Sequence, residues 1–122
     1  VAKGDREHLH STALGKSVAM VLDDEHISSI LEAAGMPART ELTIADHEAF
    51  LAEIARARIN GYAIDDEENE QGGRCVAVPI RGSDPKAALS LSAPTSRLSF
   101  AEAGRVARVL DAAANQIAEE IA

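Results

Sequence analysis

Apolar positions recur along the chain with two different periods, helical in the first half, alternating from residue 62 to about residue 92, and helical again after Ser99. From Thr12 to Leu22, the residues Leu14, Val18, Val21 and Leu22 form a helical stripe, with Ser11 or Thr12 as its N-cap. A second helix is predicted from about Asp24 to Ala34, with Ile27, Ile30, Leu31 and Ala34 on one face; Gly35 and Pro37 stop it. Thr43, with Asp46 three residues on, has the form of a capping signal. The helix after it uses Phe50, Leu51, Ile54 and Ala57, and Gly61 ends it.

Tyr62 to Glu67 reads as a strand, Gly72 and Gly73 as a break, and Arg74 to Arg81 as a second strand. A turn at Gly82 to Pro85 leads into a third strand, Lys86 to Ser92, which Pro94 closes. Pro79 has no N–H to give to a ladder, so its presence predicts an edge position or a bulge. Ser99 and Glu102 have capping-box spacing at the start of a long helix. That helix carries Ala103, Val106, Ala107, Leu110, Ala114, Ile117 and Ile121 on one face. Three helices, three hairpin-connected strands and a last helix predict an α+β fold, an antiparallel sheet with helices packed on it. Three strands make a small sheet with an edge that needs cover.

The hairpin says more than its topology. A turn centred on Ser83 and Asp84 pairs Ile80 with Ala87, Ala77 with Ser90 and Cys75 with Ser92. Side chains alternate across a strand, so one face carries Val76, Val78, Ile80, Ala87, Leu89 and Leu91 and belongs to a core. The other face carries Cys75, Ala77, Pro79, Ala88, Ser90 and Ser92. These small residues either line a pocket for a small polar molecule or simply face water. Cys75 is either part of that lining or a small buried hydrophobe. The N-terminus of the first helix, at Thr12, Ala13 and Leu14, either offers N–H groups to an anion or is satisfied by its own cap.

Composition narrows the function classes. The 122 residues suggest one domain, and 46% hydrophobic with 26% charged residues fits an ordinary globular chain. A net charge of −8, without a Lys/Arg cluster, and 2% aromatic residues argue against direct contact with nucleic acid. Cys75 is the only cysteine, which excludes an internal disulfide and suits a reducing compartment. Neither a signal peptide nor an apolar run of about 18 residues is visible, so no membrane partner is expected and the cytoplasm is the expected location.

Some motifs mislead. Gly15-Lys16-Ser17 resembles the tail of a phosphate-binding loop, but His10 stands where that motif needs its first glycine. His8 and His10, with Asp65 or Cys75, lack a zinc-site spacing, and no cofactor is expected. The acidic run of residues 65–70 reads as a solvated face, with Asp65 set apart by its place in the strand pattern. No Gly-x-Ser-x-Gly elbow occurs and no His is assigned to Cys75 as a base, so catalysis is not indicated.

Several motifs together are more specific. Leu9-His-Ser-Thr-Ala-Leu-Gly-Lys16 is similar to the segment that opens the central helix of IclR-type effector domains. Gly61-Tyr-Ala-Ile-Asp-Asp-Glu-Glu68, Gly72 and Cys75-Val-Ala-Val-Pro-Ile-Arg81 resemble that family's signature, and Ala88-Leu-Ser-Leu-Ser-Ala-Pro94 with Ser96-Arg-Leu98 continues it. The resemblance runs in order through nearly the whole chain. It implies a GAF-like antiparallel sheet flanked by helices, in a cytoplasmic regulator that works as a dimer or a pair of dimers. It further implies that a small organic or aromatic acid binds this domain and changes the DNA affinity of an N-terminal winged helix-turn-helix. Where this sequence matches the family's effector pockets, the implied ligand contacts are Ala13, Leu14, Asp65, Cys75, Ser90 and Ser92.

Relative to that family the chain begins with the domain already under way, so the DNA-binding domain and the first strands are expected to be missing and the sheet incomplete on its N-terminal side. The turn at Gly82 to Pro85 is also shorter than usual in the family. Asp65, next to an anionic ligand, is either protonated, bonded to a ligand hydroxyl or orienting a neighbour. The alternatives are a thiol-dependent enzyme using Cys75 and a dimerisation domain without a ligand.

Overall fold

A computed structural model describes residues 9–84 and 86–121. In chain order these form α1 (Ala13–Ala19), α2 (Asp24–Ala34), α3 (His47–Asn60), β1 (Ala63–Asp66), β2 (Gly73–Ile80), β3 (Ala87–Pro94) and α4 (Phe100–Ile121). His8 and Pro85 lie outside the described residues.

Side-chain caps set the helix boundaries. The Thr12 hydroxyl accepts from the Gly15 N–H at 3.0 Å and starts α1. The helix stops well short of Leu22: tight turns join Val21 N to Val18 O and Leu22 N to Ala19 O, both 3.1 Å. Asp23 then caps α2 through the His26 N–H at 2.7 Å, which requires extended backbone between the two helices. Asp46, and not Thr43, caps α3, accepting from the Ala49 N–H at 2.9 Å. The Thr43 hydroxyl is engaged elsewhere, accepting from the N–H groups of Arg39 and Thr40 and donating to the Glu68 carbonyl. Gly61 ends α3 at φ 87°, a left-handed geometry that side chains with a Cβ resist. Ser99 and Glu102 form the expected capping box at α4.

The strands form one antiparallel sheet in the order β1-β2-β3. Ile80 pairs with Ala87, Ala77 with Ser90 and Cys75 with Ser92, the register that alternation predicts. Ser83 holds the turn, its hydroxyl donating to Ile80 O and accepting from Ala87 N, each at 2.9 Å. Pro79 stands in the central strand, yet the last β1–β2 pair is Ala63 with Ala77, so the missing N–H falls beyond the end of β1.

Helices cover both faces of the sheet. On one face α4 packs Ala103, Ala107 and Ala114 over Val76, Val78 and Ile80. Two residues predicted for this core stay exposed. Leu91 is 41% accessible because α4 lies over β2 more than over the edge strand β3. Ile121 is 56% accessible. A helix of 22 residues runs roughly 33 Å, against roughly 27 Å for an eight-residue strand, so the last turn overhangs the sheet.

On the other face α1 contacts all three strands. The contact is made of small residues, with Ala13, Ala19, Ala63 and Ala77 buried. Ala19, Met20, Ile27, Leu31, Phe50, Ile54 and Ala57 then join α1, α2 and α3 in a second core. Arg58 of α3 clamps the end of α1, donating to Met20 O at 3.1 Å and Leu22 O at 2.7 Å.

Inside this layer lies Lys16, whose side chain is completely buried. Its ammonium donates to Glu53 at 2.9 Å, to the Ile64 carbonyl at 2.8 Å and to both oxygens of Glu68 at 2.7 and 2.8 Å. Glu68 is buried with it, which corrects the reading of residues 65–70 as a solvated run. Lys16 therefore ties together α1, α3, the end of β1 and the loop after it. Replacing one partner of a buried pair strands the other charge, so Lys16→Met is expected to destabilise the fold by about 3–5 kcal/mol in urea unfolding. Lys16→Met combined with Glu68→Leu should recover a large part of that loss. A single variant as stable as the parent would show that the pair does not carry this weight.

Candidate functional site

The small-residue face of the β2–β3 hairpin does not end in packed core. Past the N-terminus of α1 it opens into a cleft of about 1280 Å³. The six residues singled out in the sequence all line it: Ala13 and Leu14 from α1, Asp65 from β1, Cys75 from β2, and Ser90 and Ser92 from β3. They come from three strands and a helix, brought together because α1 crosses the sheet over alanines and so lies close to it.

The cleft has two kinds of wall. Leu14, Val18, Ile30 and Ala34 give it an apolar side from α1 and α2. Opposite lie the exposed hydroxyls of Ser90 and Ser92 and the half-buried Cys75, whose Sγ is 2.8 Å from the Ser92 Oγ. Thr12 caps the Gly15 N–H, while Ala13 and Leu14 belong to the first turn, where helix geometry supplies no acceptor for the N–H groups. Sequence reasoning missed the contribution of α2, the rim loop of residues 69–73, and Lys86. The apolar spacing of Ile30 and Ala34 was visible but reads equally as core; the loop and Lys86 carry no comparable signal.

Asp65 is buried, and its Oδ1 accepts from the Glu68 N–H at 2.8 Å and the Asn69 N–H at 3.3 Å. Burial raises its pKa above the ordinary 3.8, and these amides and Lys16 only partly oppose the rise. Glu68 is likewise raised by burial despite Lys16. At Glu53 burial pulls upward too, but Lys16 and Arg56 together outweigh it and hold the carboxyl low.

His10 does not join Cys75 in a metal site: its Nε2 lies 2.8 Å from the Pro37 carbonyl. No group of three or more potential metal ligands occurs among the described residues. No helix among them is long and apolar enough to cross a membrane.

An α+β domain with helices on both faces of an antiparallel sheet and a cleft beside the shortest helix matches the C-terminal domains of bacterial transcriptional regulators. The family described as bacterial transcriptional regulator IclR C-terminal matches residues 1–119, and the chain belongs to that family. It is 44% identical over 101 residues to the HTH-type transcriptional regulator XynR of Escherichia coli, covering 81% of this chain and 40% of that protein. The crystal structure of the C-terminal domain of the E. coli regulator KdgR superposes with a TM-score of 0.87 at 37% identity, covering 95% of this chain and 72% of that one. A double mutant of the inducer binding domain of PobR from Acinetobacter, in complex with 3-hydroxybenzoic acid, superposes with a TM-score of 0.84 at 30% identity. That match covers 94% of this chain and 67% of that one. The chain spans less than half the length of the curated relatives XynR and KdgR. These relatives are named as transcriptional regulators, which gives the thiol-enzyme alternative for Cys75 no support.

The raised pKa of Asp65 has a definite sign in stability. Its folded pKa lies above its unfolded value, so the stability it contributes is present below about pH 3.8 and is lost as pH rises through the folded pKa. Asp65→Asn keeps an acceptor for the two amides but does not titrate. The melting temperature of Asp65→Asn relative to the parent should therefore increase between about pH 4 and pH 7. An offset that is flat across this range, read by thermal unfolding, would contradict the assignment.

Proposed function

We propose that this chain is the effector-binding domain of an IclR-type regulator, and that a small organic acid binds in the cleft between α1 and the β2–β3 hairpin. The observation that carries the reading is the convergence of Ala13, Leu14, Asp65, Cys75, Ser90 and Ser92 on one open cleft. It is supported by the structural likeness to an inducer binding domain in complex with 3-hydroxybenzoic acid.

In this reading the N–H groups of Ala13 and Leu14 and the hydroxyls of Ser90 and Ser92 donate to the acid, and the apolar wall from Leu14 to Ala34 takes its carbon skeleton. Cys75 supplies shape. Asp65 would repel an anion as a carboxylate; burial shifts it toward its neutral form, and a bond to a ligand hydroxyl or a role in orienting a neighbour fits the site equally. The acid alters DNA binding by the intact protein, to the extent that it binds one arrangement of the domain better than another. DNA contact itself falls to a domain outside this acidic chain, in a cytoplasmic protein that acts as a dimer or tetramer.

A thermal-shift screen against small aliphatic and aromatic acids, 3-hydroxybenzoate among them, tests the reading. A ligand at a hundred times its Kd should add about 2.7 kcal/mol of stability. Ser92→Ala should fold normally and lose most of that shift. A folded Ser92→Ala that keeps the full shift would remove the serine face from the site.

A further inference from the structure

The loop of residues 67–73, which carries the cleft rim at 69–73, is held from behind by a charge that does not itself line the cleft. We propose that the Lys16–Glu68 ion pair is a positioning device: it fixes this loop against α1 and thereby sets access to the cleft floor and affinity for an acid entering it. The part concerning affinity rests on the cleft being the ligand site.

The loop has a shape that its own backbone disfavours. Glu67 adopts φ 59°, a left-handed conformation that is uphill for a residue with a Cβ and persists only when its surroundings fix it. Several anchors do so. The Thr40 hydroxyl donates to Glu67 O at 2.6 Å, the Thr43 hydroxyl donates to Glu68 O, and Gly72 N donates to the Glu67 carboxylate at 2.9 Å. These bonds tie the loop to itself and to the segment before α3. The short bonds that tie it to α1 come from Lys16, at 2.7 and 2.8 Å to Glu68. The Ser11 hydroxyl meets Asn69 only at 3.5 Å. Since α1 supplies one side of the cleft mouth and residues 69–73 another, Lys16 fixes the distance between them without touching what enters.

The same ammonium supplies an internal control. Glu53 accepts from Lys16 at 2.9 Å but sits on α3, and it is not among the cleft residues. Removing either carboxylate takes one anion from the cluster, but only Glu68 is part of the rim loop. A purely structural role predicts similar consequences for both; a positioning role predicts that they differ at the cleft.

Cys75 on the cleft floor reports the difference without any ligand. In the 122-residue chain, alkylation of Cys75 by iodoacetamide should accelerate at least about tenfold in Glu68→Gln and stay within about twofold of the parent in Glu53→Gln, both with native far-UV circular dichroism. Should Glu68→Gln fail to fold, Thr43→Val, which removes the hydroxyl donated to the Glu68 carbonyl, is expected to show the same acceleration. Equal rates in the Glu68 and Glu53 variants, whether both fast or both slow, would overturn the proposal. Protection of parent Cys75 by 3-hydroxybenzoate or another acid in the same assay reports on ligand binding separately. Its absence across the acid panel would sink that reading, while the contrast between the variants still decides the role of the pair.

Discussion

The buried ammonium of Lys16 constrains the rest of the structure. Moving such an ion out of water costs several kcal/mol even after the protein relaxes, so partners must surround it. A lysine has three N–H donors, and here three groups receive them: Glu53, Glu68 and the Ile64 carbonyl. Each requirement shapes an element. Glu53 must face inward from α3, β1 must bring its Ile64 carbonyl beneath α1, and the chain after Asp66 must turn so that Glu68 returns under the helix. The sharp turn at Glu67 follows from that last demand, as does the further bond that the Glu68 carboxylate accepts from the Asp66 N–H at 3.0 Å.

A helix placed in this way is short, and its shortness makes the cleft. Arg58 fixes the C-terminal end of α1 and Asp23 redirects the chain into α2, so α1 covers only part of the sheet. The alanines between helix and sheet keep the layers close where α1 is present. Before its N-cap at Thr12 the helix does not extend over Cys75, Ser90 and Ser92, which line the open cleft. The same tight packing closes one end of this layer and leaves room at the other.

Strand register was legible in the sequence because a turn centred on Ser83 and Asp84 gave a pairing that also put the apolar residues of both strands on one face. Once the register was set, Cys75, Ser90 and Ser92 could be grouped on a face, while Ala13, Leu14 and Asp65 came from the family resemblance. Leu91 and Ile121 were misjudged because periodicity reports which way a side chain points and not whether another element reaches it. Thr43 was misjudged for the opposite reason: a local capping pattern lost to a distant carbonyl, that of Glu68. The greatest miss was Lys16 and Glu68. A lysine after glycine and a glutamate within an acidic run both look solvated, and the complementarity between them spans 52 residues of chain. No local pattern reveals such a pair, because each member becomes reasonable only when the other is present.

The electrostatics of the cleft follow from the same cluster. Lys16 is the cation nearest to Asp65 that the fold places inside, yet its donors are already given to Glu53, Glu68 and a carbonyl. Asp65 therefore receives attraction from Lys16 through space but no hydrogen bond, and burial wins. Burial thus shifts Asp65 toward its neutral form, which lessens its repulsion of an acid entering the cleft. On the proposed reading this eases the conflict between an acidic residue and an acidic ligand: the cluster that shapes the cleft takes up the hydrogen bonds of Lys16, and burial raises the pKa of Asp65.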